Sequence, residues 1–413
     1  MNTDKIYFTK EDLEYILEGS VLLGSGGGGS KESGKSLIAA ILNEGKNKRN
    51  MDRNIVECVS PENVDDAAYM SVLAGVGAPE AMKESGFGYS AGRAFELLEN
   101  EHQKSKQNVH DSSLNSFSYI VSGETGSIAM FVSMLVAVKK NIPAVDGDGA
   151  GRACPCLQMV TFYPKIPISP VVLVNSVPIS DGGTEVVLHQ NSPSAVDDVS
   201  RSIIESKEFN DIASIACYTM SGKDMKETIV RGTFTKARDL GEIITENIGI
   251  NVSDFLEILE EKTNIKGYLL FEGRVSNIEN KTNGGFDFGK VTIEKNGEKV
   301  YVLHQNENLS AFLVKEDQKV KPLAFAPDLI CYMELDGHKI KQSCSNADIQ
   351  KNTEVALIGF SADEKLLEDF LLELFTEARG NLGDFYEYKR IEDLNKPDKK
   401  LLDGILTETR KII

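Results

Sequence analysis

The segment FSYIVSGETGSIAMFVSMLVAVKK, residues 117–140, reads as three units in succession. Phe117–Ser122 is an apolar run of strand length, Gly123–Glu124–Thr125–Gly126 is a turn, and Ser127–Lys140 has the length and composition of a helix. The same order recurs upstream. The run Tyr69–Val76 meets Gly75, Gly77 and Pro79, and a helical stretch follows around Arg93–Glu101. Earlier still, Val21–Leu23 reads as a short strand that enters a glycine loop, Gly24–Gly29, ahead of a helix with Leu37, Ile38, Ile41 and Leu42 at helical spacing. Strand, glycine turn and helix in repetition predict an α/β domain, a three-layer sandwich with a mainly parallel sheet. Before it, Thr9 with Asp12 marks a helix start, with Leu13, Ile16 and Leu17 on one face and Gly19 as the stop.

Downstream, residues 165–190 are extended, with prolines at 167, 170 and 178 and a turn at Asp181–Gly182–Gly183. A helix near Ala195–Ser206, a strand near Ile212–Met220 and further helices to about Lys262 return to the first domain. The period then changes. From Gly267 to about Ser345 the chain alternates, with hairpin signals at Asn283–Gly284, Asn296–Gly297 and Asp336–Gly337. Val291/Ile293 and Val300/Val302 each mark one strand face, which predicts a second, mainly-β domain, a small barrel or sandwich. Glu364–Arg379 reads as a helix capped by Gly380. The expected division is 1–262, 263–352 and 353–413, the last a strand and helices packing back on the core.

With 45 basic against 63 acidic residues, the net charge of −18 repels phosphate backbones, so no nucleic-acid partner is expected. Ile128–Val138 is too short to span a bilayer, and the charged N-terminal segment lacks a secretory apolar core; no membrane partner and a cytoplasmic location are expected. Six cysteines without a C-x-x-C pair suit neither a zinc ribbon nor a disulfide framework, and five histidines show no metal-ligand spacing. A divalent metal held through carboxylate oxygens stays open, as does a homo-oligomer.

In parallel sheets, ligands gather in the loops beyond the strand ends, which directs attention to Gly24–Gly29, Gly123–Gly126 and Asp146–Arg152. Gly29–Ser36 fits G-x-x-x-x-G-K-S, in which Lys35 and Ser36 would meet phosphate and magnesium. The strand before it is short and distant, and no second strand ends in a magnesium-bridging aspartate, so no nucleotide is favoured. The plainer reading places Lys35 on the solvent face of a helix. The backbone of Gly26, Gly27, Gly28 and Gly29 can approach a small-molecule substrate closely, or simply form a tight turn. In the segment IPAVDGDGAGR, residues 142–152, Asp146 and Asp148 can share a proton or divide the activation of water, and Arg152 can clamp an anion. Alternatively, an aspartate in such a turn caps its own backbone. Glu124 is a third carboxylate at a strand end. Cys156 becomes a nucleophile only if a cation such as Arg152 lowers its pKa; otherwise it is an inert filler. Asn306 and Glu307 would line a cleft between the domains, or form a solvated hairpin.

Leu23–Gly29, Gly77–Ala78–Pro79, Gly123–Glu124, Pro143–Ala153, Gly285–Phe286, Gln305–Asn306–Glu307 and Pro327–Ile330 resemble, in order, the blocks of the S-methyl thiohydantoin desulfurase family. The resemblance spans about residues 10–360, and the Asp-Gly-Arg block is its most specific part. It implies an α/β sandwich with a mainly β domain, and hydrolytic replacement of the sulfur substituent at C2 of a thiohydantoin ring, giving a hydantoin. On that reading Asp146 or Asp148 activates water, Glu124 handles ring protons, and Arg152 with the glycine-loop amides binds negative charge. The chain departs from the family at Cys154–Pro155–Cys156, where an apolar residue, Pro and Glu are usual, and at Thr125–Gly126–Ser127 after Glu124. Two rival readings are a P-loop-like nucleotide-dependent enzyme and a noncatalytic small-molecule-binding or regulatory protein of the same fold.

Overall fold

The computed structural model describes residues 5–46, 55–77, 87–106, 116–283, 286–315 and 318–396. Ala78, Pro79, Gly284 and Gly285, which carry parts of the expected turns, lie outside the described residues. The first sheet contains β1 (Lys5–Phe8), β2 (Val56–Val59), β3 (Tyr69–Gly77), β4 (Phe117–Ser122), β5 (Ala144–Asp148), β6 (Val171–Val174), β7 (Glu185–Leu188), β8 (Ile212–Ser221) and β9 (Val230–Arg231). Their order is β1-β2-β5-β4-β3-β8-β6-β7, with β9 on β5. The four central strands β2, β5, β4 and β3 are parallel. Antiparallel strands extend the sheet at both sides.

Helices α1 (Lys10–Leu23), α2 (Lys31–Lys46), α3 (Ser90–Ser105), α4 (Ala129–Lys140), α5 (Pro193–Ile204), α6 (Gly222–Thr228), α7 (Thr233–Glu246) and α8 (Val252–Thr263) cover its faces. On one face α1 to α4, α7 and α8 share a continuous core. On the other, Val196 and Ile204 of α5 and Met225 of α6 pack on Val72, Val121 and Val145. Residues 129–138 of α4 are all buried between the sheet and the neighbouring helices α2 and α3, as a helix apolar all round requires.

The capping box at Thr9 forms as expected, with Thr9 Oγ1 accepting from Asp12 N and Asp12 Oδ2 accepting from Thr9 N, worth about 1 kcal/mol. Gly19 does not stop the helix. A Cβ there would lie 1.9 Å from Ala237 O, and one at Gly241 would lie 1.8 Å from Tyr15 O. These glycines let α1 and α7 touch backbone to backbone, and α1 continues through Val21–Leu23. That trio is helix rather than strand, so a helix and not a strand leads into the glycine loop before Gly29. Gly34, Lys35 and Ser36 fall inside α2, and the Lys35 side chain is largely exposed, 3.9 Å from Glu32. The phosphate-loop geometry is therefore missing, and the plainer reading of Lys35 holds.

The second sheet is antiparallel throughout: β10 (Gly267–Asn283), β11 (Phe286–Lys295), β12 (Glu298–Gln305), β13 (Glu307–Val314), β14 (Val320–Phe325), β15 (Leu329–Asp336), β16 (Lys339–Cys344) and β17 (Glu354–Phe360). Its order is β14-β13-β12-β11-β10-β17-β15-β16. The sheet curls, so β13 comes up against β15 and Asn308 Nδ2 donates to Ile330 O at 2.8 Å. β17 lies between β10 and β15, inside this sheet, beyond the expected boundary at 352. The outer face of β15 and β17 joins the core of α1, α7 and α8 through Cys331, Met333, Ala356 and Ile358. A short 3-10 turn at Glu364–Leu367 precedes α9 (Asp369–Asn381), which runs past Gly380, and α10 (Ile391–Leu394) follows.

Candidate active site

Two loops at the carboxyl ends of the central parallel strands are stitched together. Gly123 N donates to Leu73 O at 3.0 Å, Gly149 N to Gly123 O at 3.1 Å and Thr125 N to Arg152 O at 3.1 Å. Thr125 Oγ1 donates to Asp148 Oδ2 at 2.5 Å. Between these bonds Glu124 is held within the first domain, its Oε2 accepting from Cys154 N at 2.7 Å.

Glu307 approaches from the opposite side. Asn306 reverses the chain between β12 and β13 with φ of 57°, a left-handed conformation that asparagine tolerates. Its Oδ1 accepts from Asp287 N at 2.8 Å. The glycine loop closes over this turn: a Cβ at Gly27 would lie 2.1 Å from Glu307 Oε1, and one at Gly26 2.4 Å from Asn308 Nδ2. Gly26 and Gly27 therefore admit the side chains of β13, while Gly28 and Gly29 line the cavity itself. The Gly28 amide also favours a charged Glu307. Glu307 Oε2 is buried and has no hydrogen-bond partner. Such an atom costs about 1–3 kcal/mol unless a ligand or water meets it.

The cavity, about 100 Å³, thus lies between the glycine loop, the strand ends and the β12–β13 turn. Glu124, Glu307, Asn306 and Arg201 form its polar side. Burial pushes the Glu124 carboxyl well above the ordinary carboxylate range, and the neighbouring Glu307 charge adds to this. Burial pushes Glu307 up to about 7, against the opposing pull of the Arg152 charge. Arg201 was not singled out from the sequence. It is held by Asp197 Oδ2 at 2.8 Å and Pro155 O at 2.6 Å, and lies 3.5 Å from the centre of the Phe286 ring. An Asp and an Arg four apart on a helix form a common surface pair, so no local signal marks this one.

The acidic loop has a different placement. Asp146 Oδ1 accepts from Phe234 N and Thr235 N at 2.9 and 3.2 Å, and its Oδ2 from Thr235 Oγ1 at 2.8 Å. It caps α7 from another strand. Asp148 is fully buried, with Oδ1 accepting from Ala150 N and Gly151 N at 2.8 and 2.6 Å. Both therefore hold backbone, the alternative the sequence left open, and neither lines the cavity. Arg152 is also fully buried. Its guanidinium donates to Ala153 O, Pro327 O, Asp328 O and Asn308 O at 2.9–3.1 Å, clamping the two domains. It acts on the carboxyl pair through its charge. Cys154 and Cys156 line the cavity, but burial pushes both thiols up, and Asp197 raises Cys156 further. They are protonated at neutral pH, which is unsuited to a nucleophile. Among the described residues no three His, Cys, Asp or Glu side chains are grouped as metal ligands.

Residues 11–188 match the S-Me-THD-like N-terminal domain and residues 191–378 the S-Me-THD-like C-terminal domain. The division falls within the first sheet, between β7 and α5. The crystal structure of a protein from Chromobacterium violaceum superposes with a TM-score of 0.76 at 26% identity, covering 94% of this chain and 100% of that one. None of the curated proteins matches the chain.

Proposed function

We infer that this chain, which belongs to the S-Me-THD-like family, is a hydrolase that replaces the sulfur substituent at C2 of a thiohydantoin-like ring with water. The observation that carries this reading is the pair Glu124 and Glu307: two desolvated carboxyls facing one cavity, one of them with an unpaired oxygen. Two such groups do not both ionise in a site of low polarity, so the pair holds one proton near neutral pH. Glu307, less strongly raised and nearer the influence of Arg152, is the ionised member; Glu124 is the acid.

Glu307 takes a proton from water as the water oxygen bonds to C2, and Glu124 gives its proton to the ring nitrogen. Collapse of the tetrahedral adduct returns the new hydroxyl proton to Glu124 and forms the C2 carbonyl. The C2–S bond breaks, and Glu307 passes its proton to the leaving sulfur, so an S-alkyl ring releases a thiol. On a C2=S ring Glu124 gives its first proton to the sulfur instead of the nitrogen, and hydrogen sulfide leaves by the same second step. Water activation is thus assigned to Glu307 rather than to Asp146 or Asp148, whose oxygens are already occupied by backbone and hydroxyl donors. Cys156 is assigned to the wall of the cavity.

The test is incubation of the protein with thiohydantoins and S-methyl thiohydantoins, with and without divalent metal, following release of sulfide or methanethiol. Release that Glu307→Gln and Glu124→Gln both lack supports the assignment. Release that survives in both variants sinks it. Binding without any turnover would favour a noncatalytic member of the fold.

A further inference from the structure

Opposite its carboxyls the cavity is apolar, and the sheet register explains why. Val72, Ala74 and Val76 recur at every second residue of β3, so their side chains share one face. β8 pairs Val72 with Cys217 and Ala74 with Ile215, which brings Cys217 and Ile215 onto that same face. All five line the cavity, joined by Leu157 and Phe162. Ala74, Val76 and Leu157 are only half-buried, so apolar surface is left open there. Gly123 stands between this floor and Glu124: a Cβ on it would lie 3.4 Å from both Ala74 Cβ and Val72 Cγ1. The missing side chain leaves floor and carboxyls in one continuous space.

Resting on the hydrolase reading above, we propose that this floor is a specificity subsite for an uncharged, apolar substituent at C5 of the ring. With C2 held at the carboxyl pair, C4 and C5 are the ring atoms remote from it and face the floor. A carboxylate or ammonium on C5 would lose its hydration against Val72, Ala74 and Ile215, which offer it no partner. Among the described lining residues the cation Arg201 is bonded to Asp197 and Pro155, and the carboxyls Glu124 and Glu307 are engaged at C2. Each methylene buried on such a surface strengthens binding by about fourfold.

The experiment measures two quantities on one set of compounds. Hydantoins carrying hydrogen, methyl, isobutyl, carboxyethyl or aminobutyl at C5 are titrated calorimetrically, and the matching S-methyl thiohydantoins are assayed for kcat/KM. A second set keeps C5 as methyl and lengthens the S-alkyl group. The expected result is binding and kcat/KM that rise from hydrogen to isobutyl, with the charged substituents at least tenfold weaker. Ala74→Leu should erase the isobutyl advantage, bringing binding and kcat/KM of the isobutyl compound down to those of the unsubstituted ring in the same variant. If that variant does not fold, Val76→Ala should shift the preference to longer substituents. Charged C5 groups binding as well as isobutyl would overturn the proposal, and so would a preference that follows the S-alkyl length instead. An apolar preference in binding without turnover supports the subsite and refutes the hydrolase. Turnover without that preference does the reverse.

Discussion

Replacing Glu307 with Gln should make the protein more stable at alkaline pH while removing its activity. The carboxyl is 4% exposed and is raised from an ordinary 4.5 to about 7, with burial the main cause. In the unfolded chain it ionises near its ordinary value. Between pH 4.5 and 7 the unfolded state has therefore given up a proton that the folded state retains, so folding stability falls as pH rises through this window. Above it the loss levels off at about 3 kcal/mol. Below pH 4.5 both states are protonated and the group is silent. The amide keeps the shape and does not ionise. Glu307→Gln should consequently match the parent near pH 4.5 and exceed it at pH 8 by up to about 3 kcal/mol. Urea denaturation at both pH values, followed by circular dichroism, measures the difference. Equal stability of the two proteins at pH 8, or a gain at pH 4.5 as large as at pH 8, would refute the reasoning. A stabilised variant that also loses turnover would mark a carboxylate retained for chemistry at the expense of stability.

Arg152→Met should destabilise the fold by about 3–5 kcal/mol in the same assay, because four buried carbonyls lose their donor at once. A loss below 1 kcal/mol would show that the clamp is dispensable. Asp146→Asn should cost about 1–2 kcal/mol through weakened capping of α7, with kcat unchanged; a large fall in kcat with native stability would return Asp146 to the chemistry. The thiols of Cys154 and Cys156 should resist iodoacetamide at pH 8, since burial keeps them protonated, and mass spectrometry showing either one alkylated as fast as a free thiol would contradict this.

What the sequence determined by itself was local. Thr9 and Asp12 close their capping box within one helical turn, and Asn296–Gly297 adopts positive φ at both positions, as a two-residue hairpin demands. The strand, turn and helix of residues 117–140 match the apolar run, the glycine turn and the apolar stretch of helical length that the sequence displays. Glu124 and Glu307 were each visible as carboxylates at strand ends or turns.

Tertiary structure decided the rest. Val21–Leu23 would be buried as strand or as helix; packing against α7 through Gly19 and Gly241 settled the matter, and the phosphate-loop pattern lost its strand. The acidic loop drew attention because aspartates among glycines suit both a site and a backbone cap. Which of the two applied depended on whether donors from α7 and Thr125 reached their oxygens. The meeting of Glu124 with Glu307 and the arrival of Arg201 required the β12–β13 turn and α5 to fold against the strand ends. Hydrogen-bond valence and desolvation are properties of those distant partners, so no local pattern could state them in advance.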